Sequence, residues 1–264
     1  EDPQVRCFDQ CLWMDPLGRL WLTWTQSWGS TFDGRDGVWA ALCDEPDSAS
    51  PTFDAVRWIA NGVMMNKPTA LSGGEWLFPC AVWPEAYCNA EGGNPFRAEM
   101  ARELGANVYV TADQGKSFAL RGGVAIDGRV FDEHMVVELR DKRLWMLVRT
   151  VYGIGQAFSE DNGLTWNHAG PSGHTGPNSR FHIRRLASGR LLLINHLNPT
   201  NAIDSRFWKR RDNLAAMLSE DDGKTWIGGL MLDVRSEVSY PDAVESAEGV
   251  IYAIHDRERY GARE

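Results

Sequence analysis

The chain has 264 residues, 43% of them hydrophobic, 11% aromatic and 24% charged, with 27 Lys+Arg against 36 Asp+Glu for a formal net charge of −9. This balance belongs to a globular protein with a real core and excludes disordered and collagen-like chains. It also argues against a nucleic-acid partner held by bulk charge, because such binding depends on cations that displace phosphate counterions.

No apolar run reaches the ~18–20 residues of a membrane span. The opening Glu1-Asp2-Pro3 carries neither the basic nor the apolar region of a signal peptide. Five irregularly placed cysteines (Cys7, Cys11, Cys43, Cys80 and Cys88) do not make a disulfide framework, and Cys7 and Cys11 lack a second pair to complete a zinc site. No metal or organic cofactor is expected. Two counts stand out: 12 Trp and, with five lysines among the 27 basic residues, 22 Arg. The first fits core packing and the second codon bias, and together they also fit a site that stacks on sugars and grips carboxylates bidentately.

Taken in chain order, short runs rich in Trp, Val, Leu and Tyr alternate with tight polar turns, which reads as all-β. Hairpins are predicted for Phe8–Met14 with Leu20–Trp24 about Gly18, and for Pro68–Leu71 with Trp76–Val82 about Gly73-Gly74. Further hairpins follow for Met135–Leu139 with Leu144–Val148, for Phe181–Leu186 with Leu191–Asn195 about Gly189, and from Ala243 to Ile254 about Gly249. After each of the middle three, a third strand ends in a near-identical octet, beginning at Thr111, Ser159 and Ser219 and following S/T-x-D-x-G-x-T/S-W/F. In such a turn Ser/Thr and Asp side chains bond nearby backbone N–H groups, Gly supplies positive φ, and the aromatic residue pins the turn to the sheet. Spacings of 48 and 60 residues fit one four-stranded unit per repeat, the period of a β-propeller blade.

In such a blade the octet turns mark the back. The front is where strand 1 begins, strand 2 ends and strand 3 begins. Front positions hold Asp33, Arg35 and Asp36 in the first unit, Asn66 and Lys67 in the second, and Asp132, Glu133, His134 and Arg149 in the third. The fourth offers Arg180, Arg206, Arg210 and Arg211, and the fifth Glu237, Tyr240, Asp242 and Arg257. Arginine gathering at one rim of an acidic chain points to a local site for an anionic ligand. Trp28 lies in a front loop and suits a sugar platform, whereas strand packing is expected of most other tryptophans, and His134, His196 and His255 are expected as hydrogen-bonded fillers.

The octets resemble the Asp-boxes, or BNR repeats, of the sialidases. The run Phe131-Asp132-Glu133-His134-Met135-Val136-Val137-Glu138-Leu139 with Leu144-Trp145-Met146-Leu147-Val148-Arg149 is similar to the sialidase "NE-x-QVVEL…LMLNxR" run, including the sixteen-residue step from Glu133 to Arg149. Arg211, eight residues before the Ser219 octet, matches another substrate-binding arginine, and Val238-Ser239-Tyr240-Pro241-Asp242 resembles the segment bearing the nucleophilic tyrosine. The resemblance implies a six-bladed β-propeller, here about four and a half blades in a single domain 1–264 that lacks the first blade and the end of the last. It also implies removal of a terminal sialic acid, or a related acidic sugar, from a glycan with retention of configuration. Tyr240 would be the nucleophile and Glu133 its general base, while Arg149 and Arg211 would bind the substrate carboxylate. Asp33, Asp36, Lys67 and Arg257 complete the expected substrate-binding set.

Sialic acid bears its carboxylate on the anomeric carbon, so a neutral phenol meets less repulsion there than a carboxylate nucleophile, a known exception to two-carboxylate hydrolysis. A phenol with an ordinary pKa near ~10 needs a base to take its proton. The family's third arginine and acid/base aspartate have no convincing match in the chain. Two other readings stand beside this one: a polysaccharide lyase or hydrolase acting on uronic-acid glycans, with Tyr240 and a front-face histidine as acid and base, and a non-catalytic carbohydrate-binding propeller. The oligomeric state is left open.

Overall fold

In the computed structural model, residues 5–28, 35–84, 97–197 and 211–258 are described. They form β1 Val5–Met14, β2 Leu20–Trp28, β3 Gly37–Cys43, β4 Arg57–Asn61, β5 Thr69–Ala70, β6 Trp76–Val82, β7 Gly105–Thr111, β8 Ala119–Val124 and β9 Met135–Glu138. The series continues with β10 Leu144–Thr150, β11 Gly153–Ser159, β12 Asn167–Pro171, β13 His182–Arg185, β14 Leu191–His196, β15 Leu214–Ser219, β16 Ile227–Asp233, β17 Val238–Glu245 and β18 Ile251–Arg257. A single 3₁₀ turn, Ala98–Glu103, leads into β7. The strands make four four-stranded sheets, β1-β2-β3-β4, β5-β6-β7-β8, β9-β10-β11-β12 and β13-β14-β15-β16, and a two-stranded sheet β17-β18.

Burial follows strand position. β6, β7 and β10 are buried at every residue, while β8, β12 and β16 are exposed or half-buried at all but one. Inner strands covered on both faces therefore read as continuous apolar runs. β2 alternates instead, hiding Trp21, Thr23, Thr25 and Ser27.

The chain divides into two compact units: Glu1–Ala125 with Phe131–Val136 and Ser159–Asn167, and Ile126–Val130 with Val137–Phe158 and His168–Glu264. In the first, Trp13, Trp21, Trp76, Phe78 and Tyr109 centre one core. Trp13 meets Trp76 edge-on at 5.2 Å, and Phe78 meets Phe118 at the same distance. In the second, Leu186, Leu192, Ile194, Leu214, Val238 and Ala243 pack together. The expected strand packing thus holds for Trp13, Trp21 and Trp76, whereas Trp28 and Trp58 stay exposed.

The octets fold as their residue types dictate. In the second, Ser159 Oγ donates to Asp161 Oδ1 at 2.8 Å and accepts from the Gly163 amide at 2.8 Å, and Thr165 Oγ1 donates to Asp161 Oδ2 at 2.6 Å. The Trp166 and Trp226 indoles each close over a glycine carbonyl of their own turn at 3.1 Å. Two of the glycines are also fixed by close approach. At Gly115 (φ +87°) an added Cβ would lie 2.3 Å from the Trp21 ring, and at Gly223 (φ +85°) one would lie 2.5 Å from Trp145. Each turn thus sits with its glycine on a tryptophan of the preceding sheet's second strand. The first sheet has no octet; there Asp54 closes the connection by accepting from the Leu42 amide at 2.8 Å and donating its own amide back at 2.8 Å.

Candidate active site

Glu133 lies in a turn of the first unit between the outer strand of one sheet and β9. Phe131, Asp132 and Glu133 run consecutively through the left-handed region, at φ 57°, 51° and 41°. Single non-glycine residues are uncommon there, and each costs on the order of 1–3 kcal/mol. The Glu133 amide donates back to the Phe131 carbonyl at 2.6 Å, a γ-turn with positive φ at its centre. Side chains from other segments of the chain hold the bend. Asn66, fully buried, donates to the Glu133 and His134 carbonyls at 2.7 and 3.1 Å. The Trp83 indole donates to the Phe131 carbonyl at 2.9 Å and stands edge-on to its ring at 5.0 Å. His134 Nε2 lies 2.7 Å from the Asn107 carbonyl, the filler role expected for it. Glu133 itself is buried.

In the second unit Arg149 is the penultimate residue of β10, fully buried, and its Nε donates to Asn178 Oδ1 at 2.5 Å. Arg211, also buried, donates through Nη2 to the backbone carbonyl of the same Asn178 at 3.0 Å. The Arg211 guanidinium lies 5.8 Å from the Tyr240 ring centre, within cation–π range. Arg149 and Arg211 thus meet at Asn178, in the loop before β13, and Tyr240 lies against Arg211. Arg180, two residues further on, is buried as well.

Tyr240 occupies a register break in β17 between Ser239 and Asp242, at φ 54°. A bulky residue at positive φ is an outlier, and one preceding a proline is normally pressed towards extended backbone. The break is flanked by two polar ties: Ser239 Oγ donates to Asp256 Oδ1 at 2.6 Å, and the fully buried His182 has Nδ1 3.2 Å from Asp242 Oδ1. Burial pulls the His196 imidazole down to about 4, with the Arg211 charge adding to the effect, while its Nδ1 lies 2.9 Å from the Asp212 carbonyl.

The remaining expected residues are spread out. Asp36 is buried and its carbonyl accepts from the Gly62 amide at 2.5 Å. Lys67 is half-buried beside Asn66. Arg257 closes β18 opposite Val238, exposed and ion-paired to Glu258. Asp33, Arg206 and Arg210 lie outside the described residues. Asn178 and His182 escaped the sequence reading. Asn178 stands at the kind of front position where Arg180 was found, but asparagine after proline reads as a turn. Among the described residues no cluster of His, Cys, Asp and Glu suits a metal ion, no helix is long and apolar enough to cross a membrane, and all four cysteines are free.

Repeated four-stranded sheets, Asp-box turns and paired buried arginines define a β-propeller of the sialidase-like class. The chain matches the BNR repeat-like domain over residues 1–253 and belongs to that family. Among solved structures it is similar to the Hadza microbial sialidase Hz136, with a TM-score of 0.65 at 15% identity, covering 91% of this chain and 48% of that one. It is also similar to the intramolecular trans-sialidase of Ruminococcus gnavus in complex with oseltamivir carboxylate, with a TM-score of 0.55 at 15% identity over 84% of this chain and 46% of that one. A family 117 glycoside hydrolase of Zobellia galactanivorans, Zg3597, gives a TM-score of 0.55 at 9% identity over 96% and 84%. The chain therefore spans about half the length of the two sialidase structures. No curated protein matches it in sequence.

Proposed function

We propose that the protein is an exo-acting, sialidase-like glycoside hydrolase that releases a terminal sialic acid, or a related acidic sugar, from a glycan with retention of configuration. The observation carrying this reading is the convergence of Arg149 and Arg211 on Asn178 beside Tyr240. Two guanidinium groups held on one residue suit the two oxygens of a substrate carboxylate. Tyr240 attacks the anomeric carbon as the leaving-group oxygen departs and takes a proton from water, giving a covalent glycosyl-tyrosine that water then hydrolyses. The phenolic proton goes to a general base, the role that the resemblance of its sequence run gives to Glu133. The Ruminococcus gnavus relative, whose structure holds oseltamivir carboxylate, lends support from a protein of the same fold.

The test is release of an aryl leaving group from an aryl sialoside. Tyr240→Phe is expected to abolish release, and Glu133→Gln to slow it by about 10²–10⁴, the usual worth of a positioned base. Full activity in Tyr240→Phe overturns the mechanism. A second reading draws on the His182–Asp242 pair two residues from Tyr240: with a histidine and a tyrosine as base and acid, the propeller would act on uronic-acid glycans. Turnover of those substrates alone, with none on sialosides, would establish it. Binding of acidic sugars with no turnover of either class would mark a carbohydrate-binding propeller.

A further inference from the structure

The first sheet carries a second concave feature, confined to the first unit, at the end where β1 and β3 begin and β2 and β4 finish. It is a pocket of about 220 Å³ walled by Trp28, Trp39 and Trp58. Trp28 and Trp58 are 54% and 45% exposed, which leaves large indole faces open to solvent. Exposed aromatic area gathered in a concavity calls for a partner, unlike a scattered surface Leu.

The polar groups of the pocket are arranged around these faces. A Cβ added to Gly37 would lie 3.2 Å from Trp39 Nε1 and 3.5 Å from Trp58 Nε1, so both indole N–H groups surround one point. Neither makes a hydrogen bond among the described residues. The backbone at Gly37 has no positive φ, so what a side chain there would cost is the space in front of the indoles. Ser27 Oγ, on the same wall, is buried and has no hydrogen-bond partner among the described residues. A buried hydroxyl in that state costs about 1–3 kcal/mol unless something binds it.

Charge decides the kind of ligand. Asp36 lines the pocket next to Arg35, so the two formal charges cancel. An aromatic cage for a quaternary ammonium keeps its negative character; this one does not. Size narrows the choice further, since about 220 Å³ is roughly seven waters at ~30 Å³ each and falls below the ~300 Å³ where drug-sized sites begin. A single ring with apolar faces and hydroxyl edges fits these conditions. The floor is rigid in advance: the Asn61 amide donates to Tyr109 Oη at 3.2 Å, and Tyr109 Oη and Asn61 Nδ2 both donate to Glu103 Oε2, at 2.9 and 3.0 Å. Trp58 stands edge-on to Tyr109 at 6.3 Å.

We infer that this pocket is a binding site for one neutral pyranose unit of a glycan, its C–H face on an indole and its hydroxyls on the Trp39 and Trp58 N–H groups, Ser27 and Asp36. The inference does not rest on the proposed hydrolysis, because it concerns a neutral sugar and a pocket whose lining includes none of Glu133, Arg149, Arg211 and Tyr240. Saturation-transfer NMR of the intact chain with lactose, cellobiose and N,N′-diacetylchitobiose tests it, with tetramethylammonium as counter-probe. At least one disaccharide is expected to bind at millimolar affinity. Trp28→Ala should weaken it about tenfold, or ~1.4 kcal/mol, and Gly37→Ala should weaken it by crowding the indoles. Trp28 is exposed, so its removal leaves the fold in place, which circular dichroism checks. Three results overturn the inference: no saccharide transfer, transfer undiminished in both variants, or binding of tetramethylammonium in place of the sugars.

Discussion

Asn178 divides its two acceptors between two arginines, its side-chain oxygen for Arg149 and its backbone oxygen for Arg211. Only the first can be removed by substitution. Asn178→Ala should therefore remove this one tie on Arg149 while leaving Arg211 in place. A hydrogen bond to a charged group is worth ~1.5–3 kcal/mol, so KM for an aryl sialoside should rise about 10- to 100-fold with a smaller change in kcat. Asn178→Asp should bind substrate still less well, because its carboxylate occupies the guanidinium groups in the manner of the ligand, yet it should be at least as stable as the parent. Equal KM values for the parent and both variants would remove Asn178 from the site. Arg149, Arg211, Tyr240 and Glu133 were candidates from the sequence because they sit in runs with recognisable spacing. Asn178 and Asn66 were not assigned roles, because they act on backbone and side-chain atoms far away in sequence. The strain at Glu133 and Tyr240 was equally hidden, since positive φ at a non-glycine residue leaves no trace in composition.

The Asp-box turns were the most legible elements, for their residue types nearly determine their bonds. The fourth strands were the least legible: β12 reads Asn-His-Ala-Gly-Pro and is mostly exposed, so no apolar period betrays it. The box carboxylates also carry a pH signature. Hydroxyl and amide donors from Thr165 and Thr225 hold Asp161 and Asp221 at about 2, and those of Ser117 and its neighbours hold Asp113 well below the usual range. An unfolded aspartate titrates near ~3.9. The folded pKa lies below the unfolded one, so the contribution to stability is complete above pH ~4 and is lost as pH falls towards about 2. Asp161→Asn should lower the urea midpoint at neutral pH, and the gap to the parent should narrow steadily between pH ~4 and ~2. A gap that stays constant across that range would assign the loss to shape instead of charge.

At the scale of the molecule, repeat spacing indicated the propeller and its partial repeat, and four four-stranded sheets with one two-stranded sheet agree with that reading. The division into two compact units was not legible, because it depends on which sheets share a core. We hold residues 1–264 to be a single folding domain, which predicts one calorimetric transition whose van't Hoff and calorimetric enthalpies agree. Two resolved transitions would show that the units melt separately.

The seating of Gly115 on Trp21, and of Gly223 on Trp145, has a consequence for how such chains arise. Where this joint forms, one sheet offers the turn and the sheet before it offers the indole. A gene segment encoding one sheet with both parts would be copied with each half of the joint already in it. Its duplicate would dock on the original by the same fit, with no new surface to evolve. The number of sheets can then change by tandem duplication or loss while every joint stays the same.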